Sequence, residues 1–174
     1  MKLLVVVDVQ NDFITGALEN KEAIRKLPNV CKYIEEWNGD IVFTRDTHFD
    51  NYLETLEGKN LNVPHCLDHS WGWEIASDAI EALNRSRDTK YYVDYIDKNT
   101  FGAKQWKDFY LEKYDEIVLI GYCTDICVIS NAMLIKAFVP NTPIKVVEEC
   151  CAGVTPDRHE NALKAMQCCH IEVI

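Results

Sequence analysis

The sequence predicts an α/β fold, a three-layer α/β/α sandwich built on a six-stranded and mostly parallel sheet. Short apolar runs rich in β-branched residues alternate with longer segments of helical spacing along the chain. The central runs are apolar on both faces, as strands must be when helices cover both sides of a sheet. The 174 residues contain no internal repeat, linker or low-complexity tract, so we expect a single domain covering residues 1–174.

The individual elements follow from these two patterns. Six apolar runs are predicted as strands, at residues 3–8, 41–44, 91–96, 116–121, 144–147 and 170–174. Five segments of helical spacing are predicted as helices, at residues 21–37, 73–83, 103–113, 124–138 and 156–167. The segment from Phe49 to about Ser70 is irregular, and loops of that length in a compact domain are usually functional. Residues 85–88 form a charged connection that we expect to be solvated.

Residues at the helix boundaries support this order of elements. Asn38–Gly39 follows the first predicted helix, and Gly is common directly after a helix C-terminus. Pro140 stops the fourth helix, because proline cannot continue a helix. Pro156 begins the last helix, where the first N–H groups have no partner within the helix. Strands that alternate with helices in this way form a parallel sheet through right-handed crossovers.

A buried strand leads directly to Cys127. Residues 117–120 are apolar and mostly β-branched, Gly121 breaks the run, and Thr124 or Asp125 can cap the helix that follows. Cys127 then lies in the first turn of a helix, where backbone N–H groups and the helix dipole favour a thiolate. The same N–H groups could hold a developing oxyanion. The alternative is a small apolar side chain that packs the helix onto the sheet.

Two further polar residues, Asp8 and Lys98, end or directly follow predicted strands. The topology predicts that the strands leading to Asp8, Lys98 and Cys127 lie near the middle of the sheet, so that their ends meet at one edge. A carboxylate, an ammonium group and a thiol in one crevice form a workable set of base, orienting cation and nucleophile. Taken singly, Asp8 could be a turn residue and Lys98 a solvated lysine.

A separate set of residues has the pattern of a metal site. Asp46 and His48 are spaced i, i+2, so they face the same side if the preceding strand persists. His65, in the long irregular segment, could reach back to them. One carboxylate and two imidazoles leave room for water or substrate on zinc, iron or manganese. The alternative for Asp46 and His48 is a hydrogen-bonded surface pair.

Composition and local sequence exclude several classes of function. Lys and Arg total 18 against 28 for Asp and Glu, and a net charge of -10 repels phosphate backbones, which excludes nucleic acid as a partner. The sequence has neither a basic amphipathic helix nor an apolar run near the ~20 residues of a membrane span, so we expect no membrane partner. The turn at residues 8–13 contains no Gly, which argues against a dinucleotide cofactor despite the Rossmann-like topology.

The cysteines suggest a reducing compartment. Eight are present, at positions 31, 66, 123, 127, 150, 151, 168 and 169, and no pair is spaced Cys-x-x-Cys. The apolar run at residues 3–7 is followed at once by Asp8 and lacks a small-residue cleavage site, so we predict a strand rather than a signal peptide. We therefore expect a cytoplasmic protein whose thiols are reduced and mostly buried. The doublets Cys150–Cys151 and Cys168–Cys169 receive no role.

Together these motifs resemble the isochorismatase-like cysteine hydrolases. The resemblance is carried by the segments Asp8–Phe13 (DVQNDF), Lys98–Phe101 (KNTF) and Gly121–Val128 (GYCTDICV), with a matching helix start at Thr155–Leu163. Asp46–His48 and Pro64–Cys66 resemble the nicotinamidase branch in particular. The similarity covers nearly the whole chain in order, and it implies the isochorismatase-like form of the α/β sandwich.

The resemblance also implies a role for each matching residue. Cys127 would be the nucleophile, Asp8 its general base, and Lys98 the cation that orients Asp8 and lowers the pKa of the thiol. The backbone N–H groups of Cys123 and Cys127 would form the oxyanion hole, with a cis peptide bond between Tyr122 and Cys123. Phe13, Phe101 and Tyr122 would contact the substrate.

The implied activity is the hydrolysis of nicotinamide to nicotinic acid and ammonia through a Cys127 thioester, a step of NAD salvage. Asp46, His48 and His65 would hold a divalent metal, zinc by preference and iron or manganese otherwise, whose open position takes the pyridine nitrogen. The implied partners are a small-molecule amide and further copies of the chain in a homo-oligomer. Leu61–Val63 departs from the branch, which often has an aromatic residue shortly before the second metal histidine; Trp71 or Trp73 could compensate.

Three alternatives stay open at this point. One is a metal-free amidase of the same superfamily that acts on a carbamoyl or ureido compound. Another is a non-haem Fe(II) oxygenase, which would use the carboxylate and two histidines and needs a jelly-roll fold. The last is a non-catalytic oligomeric scaffold, in which Cys127 has ordinary thiol reactivity. Metal content separates the first from nicotinamidase, and fold class and thiol reactivity test the others.

Overall fold

The computed structural model describes residues 1–86 and 91–174. Its strands are β1 (Lys2–Val7), β2 (Asp40–Asp46), β3 (Val93–Lys98), β4 (Glu116–Tyr122), β5 (Ile144–Ala152) and β6 (Glu172–Val173). They form one sheet in the order β3–β2–β1–β4–β5–β6, and every neighbouring pair is parallel. The predicted six-stranded α/β fold is confirmed, and the sheet of the described residues is parallel throughout.

Helices cover both faces of the sheet. They are α1 (Lys21–Glu36), α2 (Leu56–Asn60), α3 (Ser77–Arg85), α4 (Ile129–Phe138) and α5 (Pro156–Cys168). Alternate residues of β1 point to opposite faces, as the pleat of a strand requires. Leu4 and Val6 belong to the core beneath α1 and α3, whereas Leu3 and Val5 belong to the core beneath α4 and α5. No helix in the two described ranges is long and apolar enough to cross a bilayer.

Side-chain caps fix the starts of two long helices. The Asn20 side chain accepts hydrogen bonds from the N–H groups of Glu22 and Ala23 at the start of α1. The Thr155 hydroxyl accepts from the Arg158 N–H at the start of α5, and Pro156 is the first residue of that helix as predicted. Each cap satisfies N–H groups that the helix itself leaves unpaired.

The predicted helix at residues 103–113 is wrong. Two short 3₁₀ helices stand there instead, Lys104–Asp108 and Leu111–Lys113, separated by Phe109 in an extended conformation. Trp106 and Leu111 are both buried. They are five residues apart, so on an α-helix their side chains would point about 140° away from each other. Breaking the helix lets both side chains reach the core.

The predicted helix from Thr124 to Phe138 begins differently from expectation. Its first turn, Thr124–Val128, is π-helical, and the Val128 N–H donates to the Cys123 carbonyl five residues earlier. The α-helix α4 starts only at Ile129. Neither predicted cap is used: the Thr124 hydroxyl bonds with His159 Nδ1, and the Asp125 carboxylate accepts from the Val154 N–H.

Other boundaries shift by a few residues. The helix predicted at 73–83 starts at Ser77, after turns, and the irregular segment at 49–70 contains α2. The strand predicted at 144–147 extends to Ala152, so Cys150–Cys151 lies within β5, while the last strand shortens to Glu172–Val173. The connection predicted at 85–88 is only partly visible, because α3 includes Arg85 and residues 87–90 lie outside the described residues.

Candidate active site

Asp8, Lys98 and Cys127 meet at the carboxyl edge of the sheet. The Lys98 ammonium nitrogen lies 2.7 Å from Asp8 Oδ2 and 3.6 Å from Cys127 Sγ. The Thr44 hydroxyl donates to Asp8 Oδ1 at 2.6 Å, and Asp8 itself has a positive φ of 48° directly after β1. The three side chains are buried, with Asp8 at 0% and Cys127 at 5% exposure. The predicted convergence of carboxylate, ammonium and thiol is therefore present.

Lys98 reaches this point from the edge of the sheet rather than from its middle. β1 and β4 are the central strands, whereas β3, which ends at Lys98, is an edge strand. The expectation that all three strands lie near the middle is therefore wrong for β3. Lys98 is in register with Asp46 of β2. Its long side chain crosses β2 to reach Asp8, and a shorter residue at this position could not bridge that distance.

The pKa values describe a neutral thiol beside a carboxylate able to take its proton. Burial raises the pKa of Cys127 well above its ordinary value, while Lys98 opposes this change and a hydrogen bond with Asp8 adds to it. Burial likewise raises the pKa of Asp8, against the attraction of Lys98. Burial disfavours the charged form of Lys98, but its anionic neighbours raise the pKa well above the ordinary value. The expected low pKa of Cys127 is not found, since burial outweighs the ammonium group.

Four potential metal ligands lie together beside this set. The ligand atoms of Asp46, His48, Glu57 and His65 are all within 4.8 Å of one another. Asp46 Oδ2 is 3.0 Å from His48 Nε2 and 3.4 Å from His65 Nε2. Glu57 Oε1 is 3.5 Å from His48 Nε2 and 3.8 Å from His65 Nε2. The structure thus brings the three predicted ligands together and adds Glu57, which no sequence pattern indicated.

The spacing of these four atoms fits a small divalent cation. Ligand atoms about 2.0–2.2 Å from a zinc ion lie roughly 3.3 Å from each other in a tetrahedral arrangement. His65 Nδ1 is 2.8 Å from the Val63 carbonyl, an arrangement in which Nδ1 carries the proton and Nε2 is free to bind a metal. Burial lowers the pKa of His48, but hydrogen bonds with Asp46 and Glu57 raise it to about 9. Such a concentration of carboxylate charge around two imidazoles suits a cation.

The Gln10 side chain forms hydrogen bonds with both backbone groups of Asp46. Its side-chain oxygen accepts from the Asp46 N–H at 2.7 Å, and its side-chain nitrogen donates to the Asp46 carbonyl at 2.9 Å and to the Trp73 carbonyl at 2.7 Å. Gln10 is fully buried. A ligand whose backbone is bonded on both sides is fixed in orientation before a metal arrives.

Asp12 fixes the loop that carries His65. Its carboxylate accepts from the Ala17 N–H at 2.8 Å and from the Cys66 N–H at 2.7 Å. The Asp12 N–H in turn donates to the Gly72 carbonyl. A Cβ atom at Gly72 would lie only 2.1 Å from Asp12 Oδ2, so the two chain segments meet at a distance that only glycine allows. Gln10 and Asp12, both between Asp8 and Phe13, thus support the backbone of Asp46 and the loop that carries His65.

A cavity of about 1000 Å³ opens over both groups of residues. Asp46, Glu57, His65, Cys123 and Cys127 line it, together with Phe13 and Phe101. The Phe13 ring meets the His65 imidazole edge to face at 5.7 Å, while Phe101 stands at the rim and is 46% exposed. The cavity is therefore large enough for a small aromatic amide to contact the Cys127 thiol and His65 together.

Three aromatic residues named from the sequence lie elsewhere. Tyr122 is fully buried and donates its hydroxyl to the Ala23 carbonyl of α1, so it faces the opposite side of β4 from the thiol and does not contact the cavity. Trp73 is buried against the Arg45 guanidinium, and Trp71 is 59% exposed beside a groove between α1 and α3. None of them supplies a wall for the substrate.

The peptide bond between Tyr122 and Cys123 is cis, which confirms the expectation drawn from the motif. Cys123 follows β4 directly, and its carbonyl accepts from the N–H groups of Ile126 and Val128. The backbone thus folds back on itself between Cys123 and Cys127, both of which line the cavity. This turn is the part of the chain that an oxyanion hole would use.

Comparison with known proteins gives a consistent result. A family profile described as the isochorismatase domain matches residues 2–174. The nicotinamidase/pyrazinamidase of Mycobacterium tuberculosis is 27% identical over 189 residues, which cover 100% of this chain and 98% of that protein. The solved pyrazinamidase/nicotinamidase of Streptococcus mutans superimposes with a TM-score of 0.83 at 22% identity, covering 100% of both chains.

A further solved structure was determined with a metal. The pyrazinamidase of Pyrococcus horikoshii, in complex with zinc, superimposes with a TM-score of 0.74 at 22% identity and covers 99% of this chain and 98% of that one. At these identities the two superpositions establish the shared fold. Because the family profile extends over residues 2–174, the chain belongs to the isochorismatase family.

Proposed function

We propose that this protein is a metal-assisted cysteine amidohydrolase that converts nicotinamide and water to nicotinic acid and ammonia. The observation that carries the proposal is the Lys98 ammonium in contact with Asp8 and 3.6 Å from the sulfur of Cys127, which lines the same cavity as His65. The full-length similarity to a nicotinamidase/pyrazinamidase supports the same reaction.

The chemistry assigns a separate task to each of the three residues. As Cys127 Sγ adds to the carboxamide carbon, the thiol proton passes to Asp8, whose raised pKa suits a proton acceptor. Asp8 then gives that proton to the departing nitrogen, the C–N bond breaks, and ammonia leaves a Cys127 thioester. Asp8 next takes a proton from a water molecule as the water oxygen attacks the thioester carbon. The C–S bond then breaks, nicotinic acid leaves, and Asp8 returns the proton to the sulfur to restore the thiol. Lys98 keeps Asp8 oriented and offsets negative charge throughout.

Backbone and aromatic groups around the thiol complete the proposed site. The N–H groups of Cys123 and Cys127 would stabilise the oxyanion that forms on the amide oxygen. Phe13 and Phe101 would contact the ring, and this role is supported by their side chains lining the cavity. Tyr122 takes no part, because its side chain points to α1.

Asp46, His48, Glu57 and His65 would hold the divalent cation, with zinc as the first candidate and iron or manganese as the others. Two imidazoles with two carboxylates are a donor set that all three ions accept. When bound, the cation supplies a Lewis-acidic position on the cavity wall that can accept a ring nitrogen. The residues themselves contribute the preformed spacing, since Gln10 and Val63 orient Asp46 and His65.

Hydrolysis of nicotinamide tests the proposal directly. Ammonia release is measured with as-purified protein, with chelated protein and with the Cys127→Ala variant, and metal content is determined in parallel. We expect activity in the first, a large loss that added metal reverses in the second, and none in the third. An active Cys127→Ala variant, or protein that never releases ammonia at stoichiometric metal content, would refute the function.

The same measurements separate the alternatives. A metal-free amidase for carbamoyl or ureido compounds predicts full activity after chelation, and the four-ligand cluster argues against it. The Fe(II) oxygenase hypothesis requires a jelly roll, whereas this sheet is parallel and covered by helices. A non-catalytic scaffold predicts no turnover and ordinary reactivity of Cys127.

We also propose that residues 1–174 act as one domain, that the protein works in the cytoplasm on a small-molecule amide in NAD salvage, and that it forms a homo-oligomer. The family profile over residues 2–174 supports the single domain. Light scattering of the purified protein tests the oligomeric state, and a mass equal to one chain would contradict it.

A further inference from the structure

Asn131 joins two parts of the candidate site that are far apart in sequence. It lies on α4, four residues after Cys127, and its side chain is fully buried. Its amide nitrogen donates to the Cys127 carbonyl at 2.8 Å and to the Phe101 carbonyl at 3.2 Å. Its amide oxygen accepts from the Ala103 N–H at 2.9 Å and from the Trp106 indole N–H at 2.7 Å.

These four bonds use the full hydrogen-bonding capacity of an amide, which has two donors and an oxygen with two lone pairs. A buried polar group that is completely satisfied makes its surroundings rigid, because any displacement leaves a partner unpaired. Both donated bonds go to residues that line the cavity, Cys127 and Phe101. Both accepted bonds come from the segment that follows Phe101 in the sequence, from Ala103 and Trp106.

This segment needs an anchor because of its place in the fold. It begins where β3 ends at Lys98, and β3 is an edge strand that pairs only with β2 in the described sheet. Beyond β3, the segment packs directly on α4. A Cβ atom at Gly102 would come within 2.5 Å of Leu134 Cδ1 and 3.1 Å of the Ser130 carbonyl oxygen. Gly102 thus allows the close approach, and Asn131 provides the bonds that hold it.

We propose that Asn131 is a positioning residue that fixes the loop after Lys98, which carries Phe101, against the turn that carries Cys127. Through the backbone of Cys127 it sets the orientation of the nucleophile, and through the backbone of Phe101 it sets the rim that contacts the substrate ring. The inference rests on the proposed function for the identity of the substrate. The link between the loop and the thiol can be tested without that substrate.

The test compares variants that break different halves of the network. Asn131→Asp keeps an acceptor for Ala103 and Trp106 but replaces both donated bonds with repulsion between oxygens. Asn131→Leu removes all four bonds without adding charge. Trp106→Phe is the matched control, because it removes one accepted bond and leaves the bonds to Cys127 and Phe101 intact. Urea unfolding of each variant shows how far it is destabilised, and kinetics are measured where all are folded.

We expect both Asn131 variants to lower kcat/KM for nicotinamide about 100-fold, with a rise in KM as well as a fall in kcat, because small misplacements of reacting groups are that costly. Trp106→Phe should keep kcat/KM within about twofold of the native value, even where its loss of unfolding free energy is comparable to that of the Asn131 variants. Gly102→Ala moves the loop while retaining Asn131, and it should lower kcat/KM about tenfold. This variant serves as the test if the Asn131 variants do not fold.

Alkylation by iodoacetamide gives the readout that is independent of nicotinamide. The rate at Cys127, followed by peptide mass spectrometry, should fall about tenfold in the Asn131 variants and stay native in Trp106→Phe, with exposed Cys168 as the internal reference. Native protein that leaves nicotinamide intact would refute the proposed function, and the alkylation rates would still decide the role of Asn131. Native rates in both assays for the Asn131 variants, or for Gly102→Ala if those variants do not fold, would overturn the inference.

Discussion

Replacing Lys98 with methionine removes a buried cation and keeps most of the side-chain length. The ammonium nitrogen lies 2.7 Å from an Asp8 oxygen and 3.5 Å from an Asp46 oxygen, and all three side chains are nearly inaccessible to solvent. At an effective dielectric constant of about 20, each contact corresponds to roughly 5–6 kcal/mol of attraction before desolvation is subtracted. Removing one partner of a buried ion pair typically costs about 3–5 kcal/mol, because the remaining charge is left unpaired.

We therefore expect Lys98→Met to lower the free energy of unfolding by about 3–5 kcal/mol. The double variant Asp8→Asn with Lys98→Met should recover part of this loss, since it removes the unpaired Asp8 charge along with the cation. Lys113→Met is the matched control: its ion pair with Asp40 is partly exposed, so it should cost about 1 kcal/mol or less.

Urea unfolding and ammonia release together test this reasoning. Lys98→Met and the double variant should both lose about 10²–10⁴-fold in kcat/KM, since neither retains the base held by its cation. Recovery of stability without recovery of activity would separate the structural effect from the catalytic one. A Lys98→Met protein with native stability, or one that turns over normally, would show that the ammonium group has no such role.

Three other perturbations have equally definite outcomes. Gln10→Leu should weaken zinc binding about 10–100-fold in a chelator competition, because Asp46 loses its orienting bonds; native affinity would contradict this. Glu57→Gln should lower zinc affinity in the same assay while changing the free energy of urea unfolding by no more than about 0.5 kcal/mol, since Glu57 lies at the cavity wall; a native affinity would show that three ligands suffice. Burial opposes ionisation of Asp40, but hydrogen bonds from Tyr92 and Tyr114 lower its pKa, so its stabilising effect is present near pH 7 and lost as pH falls below about 4. Asp40→Asn should therefore cost about 1–3 kcal/mol at pH 7 and progressively less toward pH 3, and a constant difference in unfolding free energy across that range would rule this out.

The sequence was sufficient for the parts of the site that follow from strand topology. Asp8 comes directly after β1 and Cys127 lies in the turn that follows β4; these are the two central strands, and the ends of parallel strands meet at one edge of a sheet. Asp46 and His48 were found for a similar reason, because the strand geometry before them places alternate residues on one side. Lys98 was placed near them by the same logic, although its strand lies at the edge of the sheet.

Glu57 could not be found in this way. It lies on the five-residue helix α2, inside a segment that shows neither helical nor strand periodicity in the sequence. Its position beside the histidines depends on how that segment folds back over the sheet, which is a property of tertiary packing. Its own side chain differs in no visible way from those of neighbouring acidic residues such as Glu54.

Asn131 did have a signal that could have revealed it. It stands four residues after Cys127 in a predicted helix, and residues at that spacing share a face. A polar amide in a mostly apolar helix, on the same face as a nucleophile, points to a buried hydrogen-bonding role. Its partners Ala103 and Trp106 lie 28 and 25 residues earlier in the sequence, so only the folded structure shows that they meet Asn131.

The tight contact between Gly72 and Asp12 has a consequence for protein engineering. Any side chain at position 72 would collide with the Asp12 carboxylate that holds the Cys66 backbone, so a substitution at position 72 should displace this carboxylate and disturb the loop that carries His65. Retargeting the protein to bulkier amides should instead vary Leu61, Ile126 and Val154, which border the same cavity with apolar side chains. Selectivity could then be altered while the reacting groups keep their arrangement.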